Sequence, residues 1–108
     1  MQQTEIIREL NDQFRRSFLG GRVVITQGVA VLPSHQKSEL FDLVQRFNEF
    51  SADNDPHGEH DFGRVEIQGI VCFWKIDYYD EELKYGSENP ADPNQTTRLL
   101  TIMLAEEY

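Results

Sequence analysis

A second cysteine is missing from this 108-residue chain. Cys72 can therefore close no internal disulfide, which fits a reducing compartment. Also missing is any apolar run near the roughly 20 residues that a membrane span needs, and the start carries no signal-peptide pattern. The expectation is a cytoplasmic protein that does not enter a membrane. No Gly-x-Ser-x-Gly elbow is present for a serine nucleophile, and no G-x-G-x-x-G or Walker-type loop for phosphate. Gly20-Gly21 precedes a strand-like segment instead of opening a helix. Cys72 alternates with core-type residues, the setting of an inert buried thiol and not of a nucleophile. There is no internal repeat and no low-complexity tract.

Basic residues are scarce, and unevenly so. Residues 1–52 carry six acidic and six basic side chains, whereas residues 53–108 carry thirteen acidic against Arg64, Lys75, Lys84 and Arg98. The whole formal charge of −9 therefore sits in the second half. Such a field repels nucleic acid and attracts basic surfaces, although acidity also serves plain solubility. Neither predicted helix has the clustered Lys/Arg face of a nucleic-acid reader.

The size suits one domain spanning residues 1–108, with a core that needs no staples. Met1 to Leu19 places Ile6, Ile7, Leu10, Phe14 and Phe18 at helical spacing, with Thr4 as N-cap and Gly20-Gly21 as stop. Arg15 and Arg16 fall in the last turn, where cations suit the helix dipole. Arg22 to Leu32 is β-branched and reads as a strand, with a bulge or break at Gly28. Pro33 closes it, and Ser34 offers an N-cap for a second helix from His35 to about Phe50, whose His35 is solvated. Thr96 to Ala105 is the last apolar segment and reads as a strand. The expected fold is α+β, in the order α-β-α-β-β-β, with a four-stranded, mainly antiparallel sheet and two helices packed on one face.

The chemistry-bearing residues concentrate between Asp53 and Asp80. Asp55-Pro56-His57-Gly58 matches a type I turn. From Phe62 the chain alternates as a hairpin whose two-residue turn is Gln68-Gly69. Counting outward sets Ile67 opposite Ile70, Val65 opposite Cys72, and Gly63 opposite Trp74, where the missing side chain leaves room for the indole. The same count sets His60 opposite Asp77, close enough to form an ion pair, which serves architecture as readily as catalysis. His57, Glu59, His60 and Asp61 form a candidate donor set for a divalent metal such as Zn, Mn or Fe. His57-x-x-His60 lacks the spacing of the helical H-E-x-x-H zinc motif, and the acidic loop lacks the EF-hand pattern. Asp77, Tyr78, Tyr79, Asp80, Glu81, Glu82, Tyr85, Glu88 and Asp92 form an aromatic and acidic patch, in a long excursion of the kind that carries function or moves.

Two segments also carry a resemblance. Asp55-Pro56-His57-Gly58-Glu59-His60-Asp61-Phe62-Gly63 and Phe73-Trp74-Lys75-Ile76-Asp77-Tyr78-Tyr79-Asp80 resemble the signature motifs of a small bacterial and phage family, domain-of-unknown-function family 3768. The likeness runs from Gly21-Arg22-Val23-Val24 to the closing Thr101–Tyr108 segment. It implies no established activity and no catalytic residue. It does imply a phage or plasmid context, in which small acidic proteins block host defence complexes by occupying their DNA channel.

Two functions are therefore expected to compete. One is an acidic interaction domain, an inhibitor of the anti-CRISPR or anti-restriction type that mimics nucleic acid and binds a basic, nucleic-acid-handling host protein through the Asp77–Asp92 patch. It needs no cofactor and touches no nucleic acid itself. The other is a metal-dependent hydrolase using the His57, Glu59, His60 and Asp61 loop. The charge split favours the first.

Overall fold

A computed structural model describes residues 2–108, so the Met1 end of the first predicted helix lies outside the described residues. Helix α1 spans Gln3–Ser17, strand β1 Arg22–Ile25, a short helix α2 Gln27–Ala30, and helix α3 Ser34–Arg46. Strands β2 (Phe62–Ile67), β3 (Ile70–Tyr79) and β4 (Thr97–Leu104) follow, and a 3-10 turn over Ala105–Glu107 ends the chain. The class is α+β, as the sequence implies.

The expected mainly antiparallel sheet and the order α-β-α-β-β-β need correction. The strand order is β1-β4-β3-β2 and the sheet is mixed, because β1 runs parallel to β4 from Arg22 opposite Leu99 to Ile25 opposite Ile102. β1 and β2 lie at opposite edges. They are joined by helices, the connection that parallel strands require and hairpin turns cannot supply. The predicted strand over Arg22–Leu32 stops at Ile25, and its Gly28 marks a break into α2, giving three helices instead of two. Glu107 holds that helix in place. Its carboxylate accepts from the Thr26 hydroxyl at 2.5 Å, the Gly28 N–H at 2.8 Å and the Leu104 N–H at 2.9 Å. These bonds, the Thr26 one foremost, hold its pKa below the usual carboxylate range.

The helix ends also depart from expectation. Thr4 lies inside α1, whose N-cap is Gln2, and the chain leaves α1 through a left-handed Phe18 (φ 60°). α3 begins at Ser34 and stops at Arg46, because Phe47 turns to an extended backbone (ψ 132°). That turn sends Phe47 and Phe50 inward. Their rings meet Trp74 edge-on at 5.5 and 6.2 Å.

The hairpin register is the one counted from the sequence, from Phe62 opposite Lys75 to Ile67 opposite Ile70. Gln68 and Gly69 both have positive φ (48° and 82°), the geometry of a type I′ turn. One face of the sheet carries Val65, Ile67, Cys72, Trp74, Ile76, Leu100 and Ile102. It packs on Phe14 of α1, Val29 of α2 and Leu40, Val44 and Phe47 of this helical layer. Burial raises the pKa of the Cys72 thiol, as an inert core cysteine requires. The opposite face is partly covered from the C-terminus, where Tyr108 stands edge-on over Phe62 and Phe73 at 5.8 and 5.5 Å. No helix of the described residues is long and apolar enough to cross a membrane.

Candidate functional site

α1 carries two stripes. Ile7 and Phe14 face the core, while Arg8, Asn11, Asp12 and Arg15 recur at three and four residues and share the adjoining face. This second stripe grips the Asp55–Asp61 loop. The Arg8 guanidinium donates to the Gly58 carbonyl at 3.2 Å, and the Asn11 amide to the Glu59 carbonyl at 3.0 Å. The loop itself is a closed turn, with Gly58 N–H donating to the Asp55 carbonyl at 3.1 Å. The buried Asp55 carboxylate accepts from the His60 N–H at 3.1 Å.

His60 does not pair with Asp77, and the expectation is corrected. His60 adopts φ 56°, which rotates its side chain out of the strand alternation on which the count relied. Its ring stacks on Phe50 (3.7 Å between centroids, 3° between planes). Its Nδ1 lies 2.9 Å from Asp12 Oδ1, so Nδ1 carries a proton and donates. Its Nε2 is 3.6 Å from Asp55 Oδ2. Asp77 instead stands beside Lys75 at 3.3 Å and opposite Leu99.

A second branch leaves Asn11. Its Oδ1 accepts from Arg98 Nε at 2.7 Å and its Nδ2 donates to Tyr78 Oη at 2.8 Å. The phenol O–H donates to Glu59 Oε1 at 2.7 Å. Burial, and then the Glu59 carboxylate, push the Tyr78 phenol far above the ordinary range, so it stays protonated and serves as a donor. Arg98 also donates to the Pro90 carbonyl at 2.6 Å and lies 5.2 Å over the Tyr78 ring. Arg15 is fully buried. It bonds Asp12 Oδ1 at 3.0 Å and the Phe47 carbonyl at 2.9 Å, and sits between the Phe50 and Trp74 rings. Burial lowers the pKa of both arginines, though a guanidinium remains charged across the working range.

The network does the work of a clamp. Nδ1 of His60 is committed to Asp12, while Nε2 lies near Asp55 but beyond hydrogen-bond distance, at 3.6 Å. His57 is exposed on the turn, while Glu59 and Asp61 are half-buried. Among the described residues no three His, Cys, Asp or Glu side chains converge as a metal-binding group.

Asp61 is a point of stored electrostatic cost. Burial, and then the neighbouring Glu59 charge, raise its pKa. A raised folded-state pKa contributes stability that is fully present below the unfolded value, about 3.9, and is lost as pH rises through the folded one. At neutral pH the ionised carboxylate therefore weighs against the fold. Asp61→Asn is expected to raise the melting temperature at pH 7, with the gain shrinking to nothing below about pH 4. A melting series across that range measures it. A variant less stable than the parent at pH 7 contradicts the assignment.

The acidic patch divides into two kinds of residue. Tyr78 belongs to the buried network, and Asp80 and Asp92 serve as turn caps. Asp80 Oδ1 accepts from Lys84 N–H and Asp92 Oδ1 from Asn94 N–H, each at 2.9 Å. Tyr79 is half-buried, opposite Thr97, and bridges to Gly86. Glu81, Glu82, Tyr85 and Glu88 are exposed, Tyr85 to 75%. Asp80, Glu81, Glu82 and Gln95 border an open depression of about 430 Å³. The excursion is tied down behind them. Ser87 and Thr96 hydroxyls meet at 2.6 Å, Thr96 donates to the Asn89 carbonyl at 2.9 Å, and Arg98 holds Pro90.

Sequence reading missed Asn11, Asp12, Arg15, Arg98 and Phe50 as members of this arrangement. The available signal was spacing: Asn11 falls at four and three residues from Ile7 and Phe14, a position that helical periodicity assigns to the core. No curated protein and no solved structure matches the chain. The model of a protein family does match, over residues 25–107. With most of its length inside that match, and both motifs with it, the chain belongs to the family described as "Protein of unknown function (DUF3768)".

Proposed function

We propose that this chain is a small acidic interaction domain that binds a basic, nucleic-acid-handling protein and inhibits it by occupying the surface meant for nucleic acid. One observation carries the reading. The excursion between β3 and β4 exposes Glu81, Glu82, Tyr85 and Glu88 on a backbone held by internal hydrogen bonds. Of the four basic residues in this half of the chain, only Lys84 offsets a member of this array. Lys84 lies 3.3 Å from Glu82, Lys75 3.3 Å from Asp77, and Arg98 is buried. A fixed array of carboxylates loses less conformational entropy on binding than a mobile one, and an exposed tyrosine supplies an anchor. A phage or plasmid setting, with a host defence complex as target, is the context the family resemblance supports.

The proposal is tested with the immobilised chain and the heparin-retained protein fraction of a bacterial lysate, eluted with salt or with double-stranded DNA. Retention should fall steeply with salt, since exposed charges are screened beyond about 10 Å at 0.1 M. Duplex DNA should compete the partner off. Joint reversal of Glu81, Glu82 and Glu88 to Lys should slow association by about tenfold or more, because steering acts on the on-rate. Asp80 and Asp92 are left intact, since changing them breaks the turns. Retention that ignores the reversals but is lost with His57→Ala or a chelator would overturn the reading in favour of metal-dependent chemistry.

A further inference from the structure

β2 is an edge strand, and its outer side is open. A two-residue hairpin turn makes Ile67 and Ile70 a hydrogen-bonded pair, and such pairs recur at every second residue. The Ile76 N–H donates to the Asp61 carbonyl at 2.8 Å at the other end, in phase with that alternation. Asp61, Gly63, Val65 and Ile67 therefore direct their backbone groups to β3. Phe62, Arg64 and Glu66 direct theirs outward, and among the described residues no backbone group bonds them there. An unpaired edge of this kind is a template for another strand unless it is blunted. Natural edges are commonly blunted by charged side chains, Lys above all. Here the two charged residues of the outward set carry opposite signs, and both are largely exposed, at 59% for the Arg64 side chain and 53% for that of Glu66.

We infer that β2 is the interface through which two copies of this chain pair, antiparallel, about a twofold axis at Val65. In that register Arg64 faces Glu66 of the second copy and Glu66 faces its Arg64, so one sequence supplies both halves of two cross-strand ion pairs. A register centred on Arg64 would set two guanidinium groups opposite each other, and one centred on Glu66 two carboxylates. The intrachain Arg64–Glu66 contact is long, at 3.5 Å, and leaves both side chains free to turn to the partner. A cleft of about 420 Å³ beside the strand has Leu43, Phe47 and Val65 in its lining and Arg46 and Glu49 at its rim. The arriving edge covers this cleft, adding apolar burial and charges of both signs to the ladder. Two four-stranded sheets would then continue as one of eight strands, with both acidic excursions outside the seam. This inference is independent of the proposed partner.

Sedimentation velocity of the full chain across a concentration series tests it. The parent should shift from 12.6 kDa towards twice that mass as concentration rises. Arg64→Glu and Glu66→Arg each place like charges opposite one another twice, and each should weaken self-association by at least about tenfold. An equimolar mixture of the two single variants restores opposite charges at both facing pairs and should return the dimer, as should the double swap Arg64→Glu/Glu66→Arg in a single chain. Recovery in the mixture also shows that the single variants are folded. Amide exchange at Arg64 and Glu66 should slow with concentration in the parent. A parent that stays monomeric at every concentration overturns the inference. So does self-association indifferent to the reversals, or a mixture that fails to associate.

Discussion

Gly63→Val is expected to cost about 3 kcal/mol, at the upper end of what overpacking usually takes from a small domain. A Cβ at Gly63 would lie 2.3 Å from Trp74 Nε1 and 2.6 Å from Cε2, well inside contact distance. The indole has nowhere to retreat. It is fully buried, flanked by Phe47 and Phe50, with the Arg15 guanidinium 5.1 Å from the ring. Its N–H has no hydrogen-bond partner among the described residues, so packing and not hydrogen bonding places the ring. Even Gly63→Ala should lower the urea midpoint. Trp74→Phe removes the atoms that clash, so adding it to Gly63→Ala should cost less than the sum of the two changes. Strict additivity, or an unchanged midpoint for Gly63→Val, would mean that the close approach of strand and indole does not constrain the fold.

Why this hairpin was legible, and its neighbours less so, follows from the range of the forces involved. Val65, Ile67, Ile70, Cys72 and Trp74 alternate around a turn whose chemistry sets the register, and a one-residue slip would bury Arg64 and Glu66. Every determinant lies within a few residues. β1 has four residues, and its partner β4 is the last strand of the chain. No local pattern announces a parallel pairing over that separation. His60 failed for another reason. Strand alternation ends at Asp61, because the Asp55 carboxylate and the Asp12 side chain hold His60 in a left-handed conformation. Tertiary bonds from a helix nearly fifty residues earlier overrode the strand preference. Arg15 shows a third limit. Its place in the last turn suits the helix dipole, but so does that of the exposed Arg16. Periodicity separates them only once Asn11 is granted a core position.

Asn11→Leu is expected to cost about 3–4 kcal/mol, more than its size suggests, because it strands a buried charge. The residue is fully buried, and both ends of its amide are committed. Oδ1 is the side-chain acceptor for Arg98 Nε, and Nδ2 serves Tyr78 Oη and the Glu59 carbonyl together. Leucine fills the volume and satisfies none of them. Arg98, at 3% exposure, keeps the Pro90 carbonyl and the Tyr78 ring but loses its one side-chain acceptor. Hydrogen bonds to charged groups contribute roughly 1.5–3 kcal/mol each, and a buried donor left unpaired loses its hydration as well. Adding Arg98→Met should therefore recover part of the loss, since an apolar pair leaves no guanidinium to satisfy. Tyr78→Phe should act the other way round. Alone it frees Glu59 Oε1, which is half-buried and can rehydrate, at about 1 kcal/mol; beside Asn11→Leu it should cost less, because the shared bond is already gone. Urea denaturation of six chains (the parent, the three single variants and the two doubles) supplies every term. If Arg98→Met deepens the loss by its full single-variant cost, Asn11 and Arg98 are not coupled. Arg98 would then play no part in the clamp, and the Asp55–Asp61 loop would be held to α1 by the Arg8, Asn11 and Asp12 contacts without it.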